Sequence, residues 1–186
     1  MDINISLGRH AHLVDVLARV TGHPEGKAVL MLELIPPHFY NLGLPPTLET
    51  CSRDVYPTGF SLMLDKTLKI LQGVADAAVH MHAHGIMHGD FYAHNIMINN
   101  DANAILGDFG GASYFEPTDT ETRHALERLE VRAFGYLVEE LLILSREDKS
   151  NEGLNQKLVS LKEKSLSHIS KSRPLFREIQ NELLYK

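Results

Sequence analysis

The strongest constraint on this chain is a change of hydrophobic period near its middle. From Leu64 to Met81 the apolar residues Leu64, Leu68, Leu71, Val74, Ala78 and Met81 recur at spacings of three and four, the stripe of a helix that buries one face. Gly85 follows as its C-terminal cap, because glycine readily takes the left-handed conformation that ends a helix. There the period breaks. His88 to Gly110 reads HGDFYAHNIMINNDANAILGDFG, where the apolar pieces NIMI and AIL are too short for helices and are separated by NNDAN. A tight two-stranded ribbon is expected. The helix therefore delivers the chain into a turn-rich stretch that holds Asp90, Asn95 and Asp108.

The flanking sequence fills in the architecture. LVDVLARV (Leu13 to Val20) and AVLMLEL (Ala28 to Leu34) flank the turn-rich TGHPEGK and predict a β-hairpin. The next stretch, IPPHFYNLGLPPTLETCSRDVYPTGF, has five prolines and no sustained period, which reads as a long ordered loop. Leu126 to Leu144 is apolar on nearly every face, the mark of a helix buried on all sides at the centre of the core. Helical spacing returns at Leu154, Leu158 and Leu161, and again at Phe176, Ile179 and Leu183, with Ser172-Arg173-Pro174 as a helix start because proline costs nothing in the first turn. There is no internal repeat. Hairpin, loop, helix, ribbon and further helices give an α+β layout weighted to helix.

Composition narrows the function classes. A chain of 186 residues suits one domain that buries about 68–70% of its unfolded surface. With 24 acidic against 18 basic residues and no basic run, it repels phosphate backbones, so nucleic acid is excluded as a partner. The single Cys51 forms no internal disulfide, and the longest apolar run, Ala28 to Leu32, is far too short to span a bilayer. The first ten residues, MDINISLGRH, lack the apolar region of a secretory signal. The expectation is a cytoplasmic protein without a membrane partner. His80, His82, His84 and His88 invite a zinc reading, but no Cys or Glu completes a set. Glu139-Glu140 reads as a charge pair on a helix surface, and Thr118, Thr120 and Thr122 as solvated loop residues.

Asp90 and Asn95 lie in a loop bounded by a helix and a strand, so both side chains can turn toward one point. Asp108 follows the second strand of the ribbon, and strands about 4.8 Å apart bring it back beside the first. Such oxygens suit Mg²⁺, a hard cation that uses one or two carboxylates together with substrate phosphates. A carboxylate not needed for the metal is free to orient or deprotonate a hydroxyl. This is the set of parts for phosphoryl transfer.

Here the residues match a family. HGDFYAHN resembles the catalytic loop H-R-D-L-x-x-x-N of eukaryotic-type protein kinases, and Asp108-Phe109-Gly110 matches their metal-binding D-F-G. HMHAHGIMHGD resembles the approach to that loop, with His82, Gly85, Ile86 and His88 in place. EVRAFGYLVEEL, Glu130 to Leu141, resembles the central helix of the larger kinase lobe, and RPLFREI a motif near the domain end. The resemblance implies an α+β kinase-like fold, with residues 1–36 as a remnant of the smaller N-lobe and hinge and 37–186 as the mainly helical C-lobe. It also implies ATP and Mg²⁺ as cofactors. Asp90 would be the catalytic base, with Asn95 and Asp108 as the metal ligands. Glu33 and Ile35 would offer backbone groups to adenine, with Met97 beneath the ring. His88 and Phe109 would join the regulatory spine, and Glu130 would hold the catalytic loop in place of the family's aspartate.

Departures from the family are equally specific. Gly89 replaces the loop arginine and Tyr92 the common lysine. No A-P-E stands between Gly110 and Glu130, and nothing before Leu13 supplies a glycine-rich loop, a strand lysine or a helix glutamate; Lys27 lies in the hairpin turn. Three readings follow. The first is a protein kinase catalytic lobe, acting on a protein or small-molecule hydroxyl acceptor, with the missing lobe supplied in cis or trans. The Pro-rich segment is similar to the insert of bacterial leucine-rich-repeat kinases, which adds a repeat region as a possible companion. The second is a small-molecule phosphotransferase of the aminoglycoside or choline type. The third is a pseudokinase that binds without turnover.

Overall fold

The computed structural model describes residues 2–50, 52–115, 119–146 and 151–184; Cys51 and Thr118 lie outside the described residues. In chain order the helices are α1 (Asp2–Leu7), α2 (Leu64–Ala83), α3 (Thr120–Leu144), α4 (Glu152–Ser165) and α5 (Phe176–Leu184). The strands are β1 (Val16–Val20), β2 (Val29–Leu32), β3 (Tyr40–Asn41), β4 (Leu62–Met63), β5 (Ile86–Met87), β6 (Ile96–Ile98), β7 (Ala104–Leu106), β8 (Ser113–Tyr114) and β9 (Ser145–Arg146). This is an α+β fold dominated by helix.

The apolar stripe from Leu64 becomes α2, with Gly85 at φ +68° just beyond its end. α2 is the most enclosed helix, with eleven of its 20 residues buried against eight of 25 in α3. Small side chains at Gly73, Ala75, Ala77 and Ala78 let neighbours approach it from several sides, so α5, α3 and β7 all pack against it. The expectation that Leu126 to Leu144 is buried on all sides is corrected here. Val131, Phe134, Leu137, Val138 and Leu141 are buried, but Leu129 and Ile143 are 57% and 76% exposed. Apolar residues all round a helix do not say which face its neighbours leave open.

The hairpin forms as expected, with β1 antiparallel to β2. The ribbon β6–β7 also forms, yet it gains a third strand. β3 pairs with β6 through Tyr40↔Ile98 and Asn41↔Met97, so the Pro-rich stretch is not a plain loop. Leu42 beside β3 is fully buried, and Leu44 bridges to Val55.

Two termini of elements also differ from the sequence reading. Ser170–Ser172 is a 3-10 turn, and α5 begins at Phe176 rather than at Ser172. The cause is Arg173, whose Nε donates to the Ser167 carbonyl at 2.9 Å and whose Nη1 donates to that of Arg128 at 3.1 Å. Its backbone is extended at φ −72°, ψ 137°. Thr120 and Thr122 are exposed first-turn residues of α3 rather than loop residues, and the Thr122 N–H donates to the Asp119 cap at 2.7 Å. The segment before the hairpin is ordered too: Leu7 and Leu13 join the buried core.

Candidate active site

α2 hands the chain to β5 and then to His88, which is fully buried. His88 Nε2 donates to the Gly107 carbonyl at 2.8 Å, and its ring stands 5.5 Å from that of Phe109. The Gly107 N–H in turn donates to the Asn95 carbonyl at 2.9 Å. Gly107 therefore joins the loop carrying Asp90 and Asn95 to the turn carrying Asp108.

This frame brings Asn95 against Asp90 and sets the turn that carries Asp108 beside their loop. Asn95 is buried, and its Nδ2 donates both to the Asp90 carbonyl at 2.9 Å and to Asp90 Oδ2 at 2.8 Å. With the amide nitrogen facing Asp90, the amide oxygen faces away from it. Asp108 is exposed and left-handed at φ 49°, ψ 77°, with Oδ1 accepting from the Gly110 N–H at 3.1 Å. Gly111 lies against Asp90, because a Cβ on it would stand 3.2 Å from that of Asp90. Met97 is half-buried in β6. Glu33 and Ile35 are not in that sheet; they follow β2, where the Glu33 N–H donates to the Asp15 carbonyl at 2.9 Å.

Glu130 holds the loop from beneath. Its Oε1 accepts from the Gly89 N–H at 2.7 Å and its Oε2 from His82 Nε2 at 2.7 Å, both side chains being 5% exposed. His82 thus has a partner that the zinc reading did not consider. Among the described residues no three of His, Cys, Asp and Glu come together to hold a metal ion. Asp108 and Asn95 still suit Mg²⁺ by donor chemistry, since both offer oxygens and a hard cation completes its shell with phosphate oxygens and water.

Sequence reasoning missed the support from the Pro-rich segment. Asp54, 6% exposed, accepts from the Ala93 N–H at 2.8 Å. His94 lies between two carboxylates, with Nδ1 3.5 Å from Asp54 Oδ1 and Nε2 3.9 Å from Asp90 Oδ2. The only local signal for Asp54 was its place before a turn. Beside it a cavity of about 190 Å³ is bounded by Arg53, Tyr92, Arg132, Tyr136 and Glu140. Glu139 and Glu140 are therefore not a surface pair. Glu140 is 11% exposed, accepts from the Tyr56 hydroxyl at 3.0 Å, and lies 3.5 Å from Arg53, while Glu139 pairs with the same guanidinium. Burial pushes the Glu140 carboxyl above its ordinary range, against the bond from Tyr56 and the charge of Arg53, which pull it down. Burial also pushes the Tyr56 hydroxyl up, reinforced by the charges of Glu140 and Asp54.

Comparison with known proteins fits this geometry. The family described as protein kinase domain matches residues 45–153, which include Asp90, Asn95 and Asp108. An L-type lectin-domain containing receptor kinase VIII.1 of Arabidopsis thaliana is 30% identical over 149 residues, 77% of this chain and 18% of the relative. A serine/threonine-protein kinase-like protein of Arabidopsis thaliana is 33% identical over 115 residues, 62% of this chain and 29% of its own. The L-type lectin-domain containing receptor kinase SIT2 of Oryza sativa subsp. japonica is 26% identical over 155 residues, 80% of this chain and 20% of the relative. The chain spans less than a third of the length of these relatives.

Proposed function

The chain belongs to the protein kinase family, and on that premise we propose that Asp90, Asn95 and Asp108 serve an ATP- and Mg²⁺-dependent transfer of a phosphoryl group to a hydroxyl acceptor. The observation that carries the reading is the double hold of the Asn95 amide on Asp90, beside the Asp108 turn. Asp90 Oδ2 is oriented by that amide and, being half-exposed, is open to an entering hydroxyl whose proton it accepts. Asn95 Oδ1 and the Asp108 carboxylate would hold the metal, which would supply neutralisation of the phosphate charge. Met97 and backbone groups of Glu33 and Ile35 would hold adenine; for Glu33 the carbonyl is the group left, its N–H being given to Asp15.

In this reading residues 1–36 are the remnant N-lobe and hinge and 37–186 the C-lobe, and the glycine-rich phosphate grip comes from outside these residues, in cis or trans. The kinase names of the relatives favour a protein hydroxyl as acceptor. One observation favours a second reading, a binding module without turnover. Lys27 stands in the hairpin turn and is paired with Glu25 at 2.6 Å, so the hairpin offers no strand lysine to a phosphate. Loss of one preorganised donor costs about 10²–10³ in rate.

Thermal unfolding with ATP, with Mg²⁺ and with both tests the assignment. Two side-chain oxygens hold Mg²⁺ weakly alone, so metal and nucleotide are expected to stabilise jointly. With a dissociation constant on the order of 1 mM, ligand at ten times that value adds about 1.4 kcal/mol. Asp108→Asn removes the Mg²⁺-dependent part, whereas Asp90→Asn leaves it. Equal stabilisation by ATP with and without Mg²⁺, unchanged in Asp108→Asn, would overturn the metal assignment.

A further inference from the structure

Four histidines outside the candidate site form a cluster of rings, with His10 stacked on His80, that ties the segment before the hairpin to α2. The ring of His10 lies 4.5 Å from that of His80, at 28° between planes, and His80 lies 4.4 Å from His84. His12 stands 5.9 Å from His10 and sits where a Cβ on Gly73 would touch it, so the glycine in α2 makes room for the ring. The hydrogen bonds assign the proton of each ring. His80 Nε2 donates to the Leu7 carbonyl at 2.7 Å, His84 Nδ1 to that of His80 at 2.8 Å, and His12 Nδ1 to that of Ala104 at 2.8 Å.

His10 is assigned in the same way, with a different consequence. Its Nδ1 accepts from the His12 N–H at 3.3 Å, so its proton is on Nε2, which faces Asp76 Oδ2 at 3.3 Å. A second proton has to go to Nδ1, where it meets the His12 N–H as donor against donor. The bond is lost, and a cation is placed against the stacked face of His80.

The segment so held leads to the candidate site. The Leu106 N–H donates to the His12 carbonyl at 2.8 Å, the Val14 N–H donates to the Leu106 carbonyl at 3.3 Å, and Leu13 bridges Leu106 in parallel. Leu106 is the last residue of β7, two before Asp108. We propose that His10 is a proton-sensitive clasp, whose protonation frees residues 2–14 from α2 and thereby loosens the strand that positions Asp108. The inference concerns regulation of the proposed kinase site, but the clasp is tested without activity.

The charges around His10 set the direction. Its side chain is 16% exposed. Burial lowers its affinity for a proton; Asp76 on α2 opposes this; His80 on α2 and His12 on its own segment lower it further; Asp15 opposes weakly, being itself held by Arg9 at 2.9 Å. From α5, Gln180 adds no charge and donates to the other Asp76 oxygen at 2.6 Å. Because the clasped His10 resists protonation more than a released one, the clasp is intact above the ordinary histidine range and weakens as the pH falls below it.

Hydrogen exchange on the full chain, corrected for intrinsic rate, reads this directly at the Val14 and Leu106 amides. Between about pH 7.5 and about pH 5, opening is expected to rise about tenfold for each pH unit by which clasping lowers the His10 pKa. His10→Asn leaves an acceptor near the place of Nδ1 and does not titrate, so its rise is expected to stay under about twofold. Asp76→Asn removes the attraction for the cation, so clasping lowers the His10 pKa further and the rise in opening on acidification is expected to be larger than the parent's; it also serves if His10→Asn fails to fold. Unchanged protection of the parent over this range, a rise in His10→Asn equal to the parent's, or a smaller rise in Asp76→Asn than in the parent refutes the clasp. Because no nucleotide is present, failure here leaves the kinase reading standing, and failure of the ATP and Mg²⁺ test leaves the clasp standing.

Discussion

Gly89 excludes a side chain on two counts. Its φ is +75°, and a Cβ would collide with the carbonyl of Gly111. A residue forced into that region costs about 1–3 kcal/mol before the collision is counted. Gly89→Ala is therefore expected to lower unfolding free energy by at least about 2 kcal/mol in urea denaturation. Gly89→Arg is expected to do the same rather than restore a family feature. Beneath it, Glu130→Ala leaves the Gly89 N–H and His82 without their partner, at a cost of about 1–3 kcal/mol for each buried donor left unsatisfied. Glu130→Gln keeps an acceptor of the same length and is expected to cost less. Equal losses for the two would show that packing, not the bond to Gly89, is what Glu130 supplies. The sequence marked Gly89 as a departure, but the reason for it lies in Gly111, far along the chain.

At the scale of elements, the Pro-rich segment is fastened to α3 through Arg53, Tyr56, Glu139 and Glu140. Glu140 has its folded pKa raised by burial above its ordinary value of 4.5. Between those two values the folded chain binds more protons than the unfolded one, so stability gains as the pH falls through the folded pKa and levels off below the ordinary one. Glu140→Gln removes this gain. The stability of the parent relative to Glu140→Gln, from urea denaturation, should therefore rise on acidification from neutral pH toward 4.5; a difference that is flat or falls contradicts the burial of this carboxylate. The hairpin poses a separate problem. Leu17, Met31 and Leu32 are 55%, 52% and 47% exposed on two paired strands, and Leu34 just beyond β2 is 87% exposed; such apolar edges favour association. The full chain is expected to bind a hydrophobic dye and to self-associate. Met31→Lys with Leu34→Lys should reduce both while changing stability by only about 0.5 kcal/mol.

Across the whole molecule a run of rings joins the distal helix to the candidate site. Phe176 in α5 lies 5.7 Å from Phe134 in α3 and 5.9 Å from Phe91; Phe91 lies 5.9 Å from His88, and His88 lies 5.5 Å from Phe109. Phe134 and Phe176 are fully buried. Phe134→Ala is expected to cost about 3–5 kcal/mol, and its effect should reach the Asp108 turn as faster exchange of the Gly110 amide. A stability loss with unchanged exchange there would confine the role of Phe134 to the core.

The sequence by itself determined what local chemistry encodes. The stripe from Leu64 to Met81 specified α2, the NNDAN turn specified the β6–β7 ribbon, and the short spacing of Asp90 and Asn95 placed them on one loop, where they meet. Each needs only a period or a turn residue. Tertiary structure decided the rest. A strand as short as Tyr40–Asn41 has no period of its own and exists because β6 offers it an open edge. Asp54 carries no catalytic signature and matters because the fold brings it under Ala93. The exposed sides of α3 at Leu129 and Ile143 depend on where α4 and α2 come to rest, and the histidine cluster depends on docking residues 7–12 against a helix some seventy positions away. Local pattern fixes which elements form; burial against distant neighbours fixes which side chains meet.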